Sequence, residues 1–391
     1  MKTIAVVTPK VDTFSNPTLV YLFEQLIERN YRILFFAHGQ MFIPSNIRPG
    51  ITLCQLPFNF YEFKHGIRNY IKIIRQYLKL FGLLKYRNKV EDLICIDPFG
   101  LVIGGRIKKI LKLTLIYFSF EIFFEDEFFI ERKKIIKRLE NKYSEKTDLL
   151  IIQDSKREEL IRSVNKFTAE METIHIPVSP KPPGYQIDKY DIFAELNIPE
   201  DKKIVVYSGT LMAWSGINEL LDLIPDKFGE EFWLLIHSHH KLKDDEELKI
   251  RINDLVDKKY NLTFHNKPFY EARDYYSFLS CCHIGIATYF PNTTDVYAGR
   301  NIREIGLSSG KFSTYMMLGL PTVTTSNTIY KEFNEIYNFG DTINKSEEIP
   351  ESLKLIMRDY ENKSAGCRNL YNIELNPVSK FEKFFDYIKQ Y

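Results

Sequence analysis

Residues 308–325 read SSGKFSTYMMLGLPTVTT, and the organisation of the chain can be worked outward from them. A turn of small residues, Ser308, Ser309 and Gly310, delivers Lys311 into a short helical stretch. Gly319-Leu320-Pro321 ends it, since glycine accepts a left-handed cap and proline cannot continue a helix. The β-branched run Thr322-Val323-Thr324-Thr325 then suits a buried strand. Turn, helix and strand in that order are the repeating piece of a parallel α/β sheet. The opening of such a helix leaves N–H groups and the positive end of the helix dipole facing outward, here beside a lysine. That combination fits a diphosphate group.

The same alternation extends in both directions. Strand-like runs occupy 3–8, 32–37, 51–56, 92–97, 113–120 and 148–153, with helical patterns near 17–29, 65–81, 99–111, 130–145 and 155–164. Around 176–190 the pattern breaks into IPVSPKPPGYQIDKY, whose four prolines suit a linker. Alternation restarts with strands at 203–209, 231–237, 261–265, 284–288 and 321–325. Helices fit 215–224, 244–257, 271–281, 310–318 and 347–361, and a last helix near 376–390 carries Phe381, Phe384, Phe385 and Ile388 on one stripe. The expected fold class is α/β with two doubly wound Rossmann-like domains. The expected boundaries are 1–178, a linker at 179–190, a second domain at 191–375, and a C-terminal helix at 376–391. Such sheets bind ligands outside the carboxyl ends of their strands, so an interdomain cleft is the expected site.

With 391 residues, 45% of them hydrophobic, the chain is long enough for two separate cores. Net charge is only +2, yet residues 1–178 hold 28 basic and 20 acidic side chains while the remainder holds 25 and 31. A basic and an acidic half predict different partners for the two domains. MKTIAVVTPK at the N-terminus has no signal-peptide pattern, and no apolar run reaches the ~18 residues of a membrane span, so a cytoplasmic protein is expected. Cys54, Cys95, Cys281, Cys282 and Cys367 show no CxxC spacing and read as buried apolar residues. Asp126 and Glu127 imitate an acidic metal motif but sit in a charged helix start, and His237 with His239 lacks a third ligand. No metal or cofactor is expected.

Four segments resemble glycosyltransferases of the GT-B fold, most closely the large retaining family known as family 4: Tyr207-Ser208-Gly209-Thr210-Leu211 with Trp214-Ser215-Gly216, Lys311 through Pro321, Ile96-Asp97-Pro98, and Tyr117-Phe118-Ser119-Phe120-Glu121. The last is similar to a segment of sugar transferases that build surface polysaccharides. Family 4 usually carries two glutamates eight positions apart on the donor segment, where this chain has Gly306 and Thr314. Its diphosphate-clamping arginine and lysine correspond to Thr210 and Ser215. Lys311-Phe312-Ser313-Thr314-Tyr315 looks more like a divergent bacterial branch that keeps the lysine and tyrosine without the glutamate. The resemblance implies a UDP- or GDP-sugar donor and metal-independent, retaining transfer.

Lys311 with the N–H groups of Ser309 and Gly310 is the first candidate for the leaving diphosphate, with Ser308 in the same turn. Arg300 and Arg303 precede that turn and offer bidentate contacts in place of the missing clamp. Gly209 and Thr210 can approach the phosphates from the first strand of the second domain. Thr314 and Tyr315 are placed toward the nucleoside, although Tyr315 also suits a core aromatic. Ser15 and Asn16 either cap the first helix or meet a ligand across the cleft. Asp97 and Glu121 each follow a strand of the first domain and are the candidate catalytic carboxylates, against a strand-end turn for Asp97 and a helix-start acid for Glu121.

Lys64, Arg68, Lys72, Arg75 and Lys79 recur at helical spacing opposite Ile67, Ile71, Ile74 and Leu78. Such a 64–79 helix packs on the domain core or holds an anionic membrane surface, where a lipid-linked acceptor is met. No nucleic-acid motif accompanies the patch. The expected partners are a nucleotide sugar and a glycan or lipid-linked acceptor. A UDP-sugar 2-epimerase-like enzyme and a non-catalytic GT-B subunit are the alternatives.

Overall fold

The computed structural model describes residues 2–8, 13–38, 43–45, 47–56, 90–129, 134–188, 191–239, 242–243, 246–293 and 295–390. The helix expected at 65–81, and with it the basic stripe at 64–79, lies outside the described residues. Two compact units make up the chain. The first comprises Met1–Lys181, Asp295–Tyr297 and Pro377–Tyr391; the second comprises Pro182–Thr294 and Ala298–Asn376.

In the first unit, seven strands form one parallel sheet: β1 (Thr3–Val7), β2 (Arg32–His38), β3 (Ile51–Leu56), β4 (Val90–Ile96), β5 (Thr114–Phe118), β6 (Leu149–Ile152) and β7 (Glu172–His175). Their order is β3-β2-β1-β4-β5-β6-β7. Successive β1 residues serve opposite faces: Ala5 and Val7 enter one apolar cluster, Ile4 and Val6 the other. Both faces are covered, which is why the central strands read as unbroken apolar runs. Helix α1 (Pro17–Glu28) starts where Asn16 Oδ1 accepts the N–H groups of Thr18 and Leu19 at 3.0 and 3.3 Å. The unit continues with α2 (Asp97–Leu111), α3 (Lys134–Ser144) and α4 (Ser155–Val164).

Beneath α3, a buried ion pair joins Lys137 to Glu140 at 3.1 Å. The Tyr117 hydroxyl donates to Glu140 Oε1 at 3.0 Å, and Asn165 Nδ2 donates to the same oxygen at 2.8 Å. Lys137 also donates to Asn165 Oδ1. Burial lowers the Lys137 pKa, while the facing Glu140 raises it in part.

The second unit has six parallel strands: β8 (Lys203–Ser208), β9 (Phe232–His237), β10 (Leu262–His265), β11 (Ile284–Ala287), β12 (Thr322–Thr325) and β13 (Gly340–Ile343). Their order, β10-β9-β8-β11-β12-β13, reverses direction between β8 and β11. The described helices are α5 (Ile192–Leu196), α6 (Ile217–Leu223), α7 (Glu247–Asp257), α8 (Ala272–Ser280), α9 (Arg300–Arg303), α10 (Gly310–Leu318), α11 (Thr328–Tyr337), α12 (Ile349–Arg358) and α13 (Tyr360–Leu370). Helix α14 (Pro377–Gln390) returns to the first unit, where Phe381, Phe384, Phe385 and Ile388 are buried with α1 and the sheet.

Six elements go beyond the sequence expectation: β7, α5, α9, α11, β13 and α13. The helix expected at 347–361 is two helices, because Asp359 leaves helical geometry (φ −129°, ψ 35°). Its carboxylate accepts from Asn338 and Asn362 at 3.1 and 2.6 Å, which fixes the corner. Among the described residues no helix is long and apolar enough to cross a membrane.

Candidate functional site

The reversal between β8 and β11 opens the place where doubly wound sheets hold ligands, beyond the carboxyl strand ends. β8 finishes at Tyr207-Ser208, and Gly209 turns away with φ +153°, a backbone conformation that side chains disfavour. The Gly209 N–H donates to His237 O at 3.1 Å, tying the turn to the end of β9. Tyr207 is buried, and its hydroxyl donates to Thr210 O at 2.6 Å, closing the turn from below. Thr210 itself is exposed.

Helix α10 begins above this turn. Ser309 is its N-cap, with Oγ accepting the Phe312 N–H at 3.1 Å and bonding the Tyr289 hydroxyl. Capping uses the Phe312 and Ser313 N–H groups, which leaves those of Gly310 and Lys311 without acceptors among the described residues. The Lys311 amine lies 3.8 Å from the centre of the Tyr207 ring and 5.2 Å from that of Tyr289. A methyl group built on Gly209 would sit 3.7 Å from Lys311 Cε and 3.9 Å from Nζ. Lysine, helix start and glycine turn therefore share one spot over the β8–β11 junction. Among the described residues the Lys311 amine has no hydrogen bond or ion pair; the side chain is partly exposed, but its amine end, set between the two rings, loses water and its pKa falls to about 7.

A second layer holds the turn. The Tyr315 hydroxyl accepts the Ser208 N–H at 2.9 Å and donates to Val206 O at 3.3 Å. Ser208 Oγ lies 2.7 Å from His237 Nδ1 and 2.8 Å from the Tyr275 hydroxyl, and His237 Nε2 faces Lys267 O at 3.2 Å. A carbonyl can only accept, so Nε2 carries the proton, Ser208 donates to Nδ1, and Tyr275 donates to Ser208. Burial lowers the His237 pKa to about 4, so the ring is neutral, packed among His265, Phe269, Tyr275 and Phe278 with centroids 5.2–5.6 Å away.

Several expected roles change with this geometry. Tyr315 is wholly buried and shapes the turn from beneath instead of facing a nucleoside. The room for its ring comes from Gly285, where an added Cβ would lie 2.5 Å from Tyr315 Cδ2. Thr314 is buried, and its hydroxyl bonds back to Gly310 O at 2.8 Å within α10. His237 is a buried structural ring, not a polar contact at a rim.

Asp97, in the first unit, is fully buried with φ 59°. Its Oδ1 accepts the N–H groups of Phe120 and Glu121 at 2.8 and 3.0 Å, so it clamps the loop after β5. Asp97 Oδ1 is thereby engaged in holding the chain, the strand-end turn weighed for it from sequence. Glu121 is partly exposed beside a buried support in which Gln153 Nε2 donates to Ser119 O and Arg157 donates to Phe120 O, at 2.8 and 2.7 Å. Asn16 is the cap of α1, and Ser15 is exposed before it.

Arg300 is partly exposed and Arg303 exposed on the short α9. Ser308 donates its N–H to Ile305 O at 2.9 Å in the turn leading to Ser309. Among the described residues no group of three or more His, Cys, Asp or Glu side chains is arranged to hold a metal ion.

Tyr289, Trp214 and Tyr275 complete the site without having been assigned from sequence. Tyr289 and Trp214 stack at 6.3 Å with 18° between their planes. Tyr289 lies just past β11, Trp214 in the turn before α6 and Tyr275 within α8, positions that periodicity alone does not separate from core.

No family model matches the chain, and no curated protein matches it. Solved structures do. Sucrose-phosphate synthase from Thermosynechococcus elongatus is similar over 100% of this chain and 99% of its own, with TM-score 0.73 and 14% identity. HepE from Anabaena, solved in complex with UDP and glucose, is similar over 100% of both chains, with TM-score 0.71 and 13% identity. A glycosyltransferase from Rickettsia africae covers 100% of this chain and 98% of its own, with TM-score 0.69 and 12% identity. The chain has the GT-B fold that these structures share.

Proposed function

We propose that the chain is a glycosyltransferase that moves a sugar from a nucleoside diphosphate donor to a glycan or lipid-linked acceptor. The observation that carries this reading is the Lys311 amine, set without an acceptor over the β8–β11 junction beside the open N–H groups of α10. Breaking the bond between the sugar carbon and the diphosphate leaves added negative charge on the departing phosphate. A fixed amine and a helix N-terminus are suited to stabilise charge that develops there.

Gly209 lets backbone approach the phosphates, with Thr210 beside it, and Ser308, Ser309 and Gly310 shape the receiving turn. Arg300 and Arg303 supply the further cations a diphosphate needs. Tyr315 and Thr314 act through the turn and the helix. Donor charge is handled by these protein groups without a metal, in a retaining transfer that needs no dedicated base. Glu121 serves the acceptor side. HepE was solved with UDP, which makes a UDP-sugar the first donor to try and a GDP-sugar the second.

An acceptor in surface polysaccharide synthesis, met at the cytoplasmic face of a membrane through the basic stripe at 64–79, fits the charge of the first half of the sequence. Calorimetry with UDP and GDP on the unsubstituted protein and on Lys311→Ala tests the donor site. Binding of at least one diphosphate, weakened tenfold or more by the substitution, is expected. Equal binding by the variant removes Lys311 from the phosphate site, and no binding by either protein defeats the reading.

A further inference from the structure

An amine without a counter-ion makes its own protonation part of any binding reaction at the site. Building on the donor-site reading above, we propose that above neutral pH the diphosphate of a nucleotide and one solvent proton bind together, the proton converting the Lys311 amine to the ammonium that faces the phosphates.

The surroundings of Lys311 carry the argument. The groups that face its amine are the ring of Tyr207 at the end of β8, the ring of Tyr289 just past β11, and the bare Cα of Gly209. Burial raises both phenol pKa values, so neither tyrosine supplies a negative charge. Helix α10 packs against α8, α13, the 371–375 segment, β11, β12 and the 306–308 turn; Glu374 of that segment is engaged by the Tyr337 hydroxyl at 3.0 Å. Titratable groups on this side, Tyr275 and Cys282, are turned toward Tyr315, and burial keeps both protonated and uncharged. No carboxylate or second cation on those elements shifts Lys311; loss of water around the amine is the one cause of its lowered pKa.

Aromatic faces attract the ammonium but do not replace the water it gives up. A diphosphate brought to the Gly310 turn supplies the missing charge and raises the affinity of the amine for its proton. The only covalent change is one proton transfer: an O–H bond of hydronium breaks, leaving water, and the amine lone pair forms the new N–H bond.

The test is the pH dependence of UDP binding, with GDP as the second probe. Below about pH 7 the free amine is already charged and Kd changes little. From pH 7 to 9 binding should weaken about tenfold per pH unit, the slope of one coupled proton. The terminal phosphate titrates near pH ~6 and contributes little in that window. At pH 8.3, calorimetry in HEPES and in Tris should differ by the ionisation heat of nearly one proton per UDP.

Lys311→Arg, whose guanidinium stays charged, should bind with a flat pH profile and no buffer dependence. The buffer comparison on the unsubstituted protein decides the matter if the arginine variant does not fold. UDP binding with constant Kd and no proton uptake overturns the coupling and leaves the donor site standing. Absence of UDP and GDP binding at every pH overturns both.

Discussion

The Ser208 hydroxyl lies 2.7 Å from His237 Nδ1; with burial keeping the ring neutral, the contact to Lys267 O puts its proton on Nε2 and leaves Nδ1 to accept from Ser208. The end of β8, from which Gly209 departs, is thus tied to a ring whose second protonation would place a charge in a buried aromatic setting. Folded His237 titrates at about 4, below its unfolded value of 6.5, so the unfolded chain binds more protons between these limits.

Stability should therefore be fully present above pH 6.5 and fall as pH drops toward 4, by up to about 3 kcal/mol from this ring. His265, also lowered by burial, acts in the same direction. Urea midpoints at pH 7, 6, 5 and 4 would show the slope. A stability that stays level across that range contradicts the neutral ring.

Tyr315→Phe removes one hydroxyl and leaves the Ser208 N–H and Val206 O facing an apolar edge. The loss should be about 1–3 kcal/mol of folding stability, read from chemical denaturation. Because the hydroxyl holds the turn and does not touch the ligand, UDP affinity should fall only a few-fold. A collapse of UDP binding in a folded Tyr315→Phe protein would instead give the phenol a direct contact.

Gly216 adopts φ +75°, and a Cβ there would meet Thr288 Oγ1 at 2.7 Å and the Phe290 ring at 2.8 Å. Gly216→Ala combines backbone strain with overpacking, and roughly 2–4 kcal/mol of destabilisation is expected. Gly209→Ala meets nothing closer than 3.7 Å, so steric crowding is small and the cost is backbone strain alone. The two variants should rank in that order by melting temperature, while Gly209→Ala weakens UDP binding more. The reverse pattern would separate the Gly209 turn from the ligand.

Lys137→Met removes the cation from a buried pair and leaves Glu140 among Tyr117, Asn165 and Ser144. Breaking such a pair from one side costs about 3–5 kcal/mol, and denaturant unfolding of the variant measures it. The double change Lys137→Met with Glu140→Leu should recover part of that loss. Failure to recover any would mean that the hydrogen bonds of Tyr117 and Asn165 dominate the cluster.

The strand–helix alternation was legible because both faces of each sheet are covered, and buried parallel strands leave apolar runs of unmistakable length. β7 and β13 left weak traces: each has four residues, and of β7 only Ile174 is buried. Helix α11 carried a usable signal, Asn327 accepting the Tyr330 N–H at its start and Ile329, Tyr330, Phe333 and Tyr337 at helical spacing, that the sequence expectation did not include. At the site, Lys311 and the glycine turn could be picked out because their chemistry is local. The roles of Tyr289, Tyr275 and His237 depend on contacts spanning long stretches of sequence, and no local pattern encodes them. The partners of Asp97 and Thr314 were not legible for the same reason, since which group satisfies a carboxylate or hydroxyl is decided by packing.

Helix α14 has a bearing on how the chain is made. Phe381, Phe384 and Phe385 belong to the hydrophobic face that Leu22, Phe23 and Phe35 begin, yet the second unit is translated between them. A ribosome that has delivered the first 181 residues has produced a sheet whose one face is still greasy and open. That nascent intermediate must wait, shielded by a chaperone or by its own transient contacts, until the closing helix emerges.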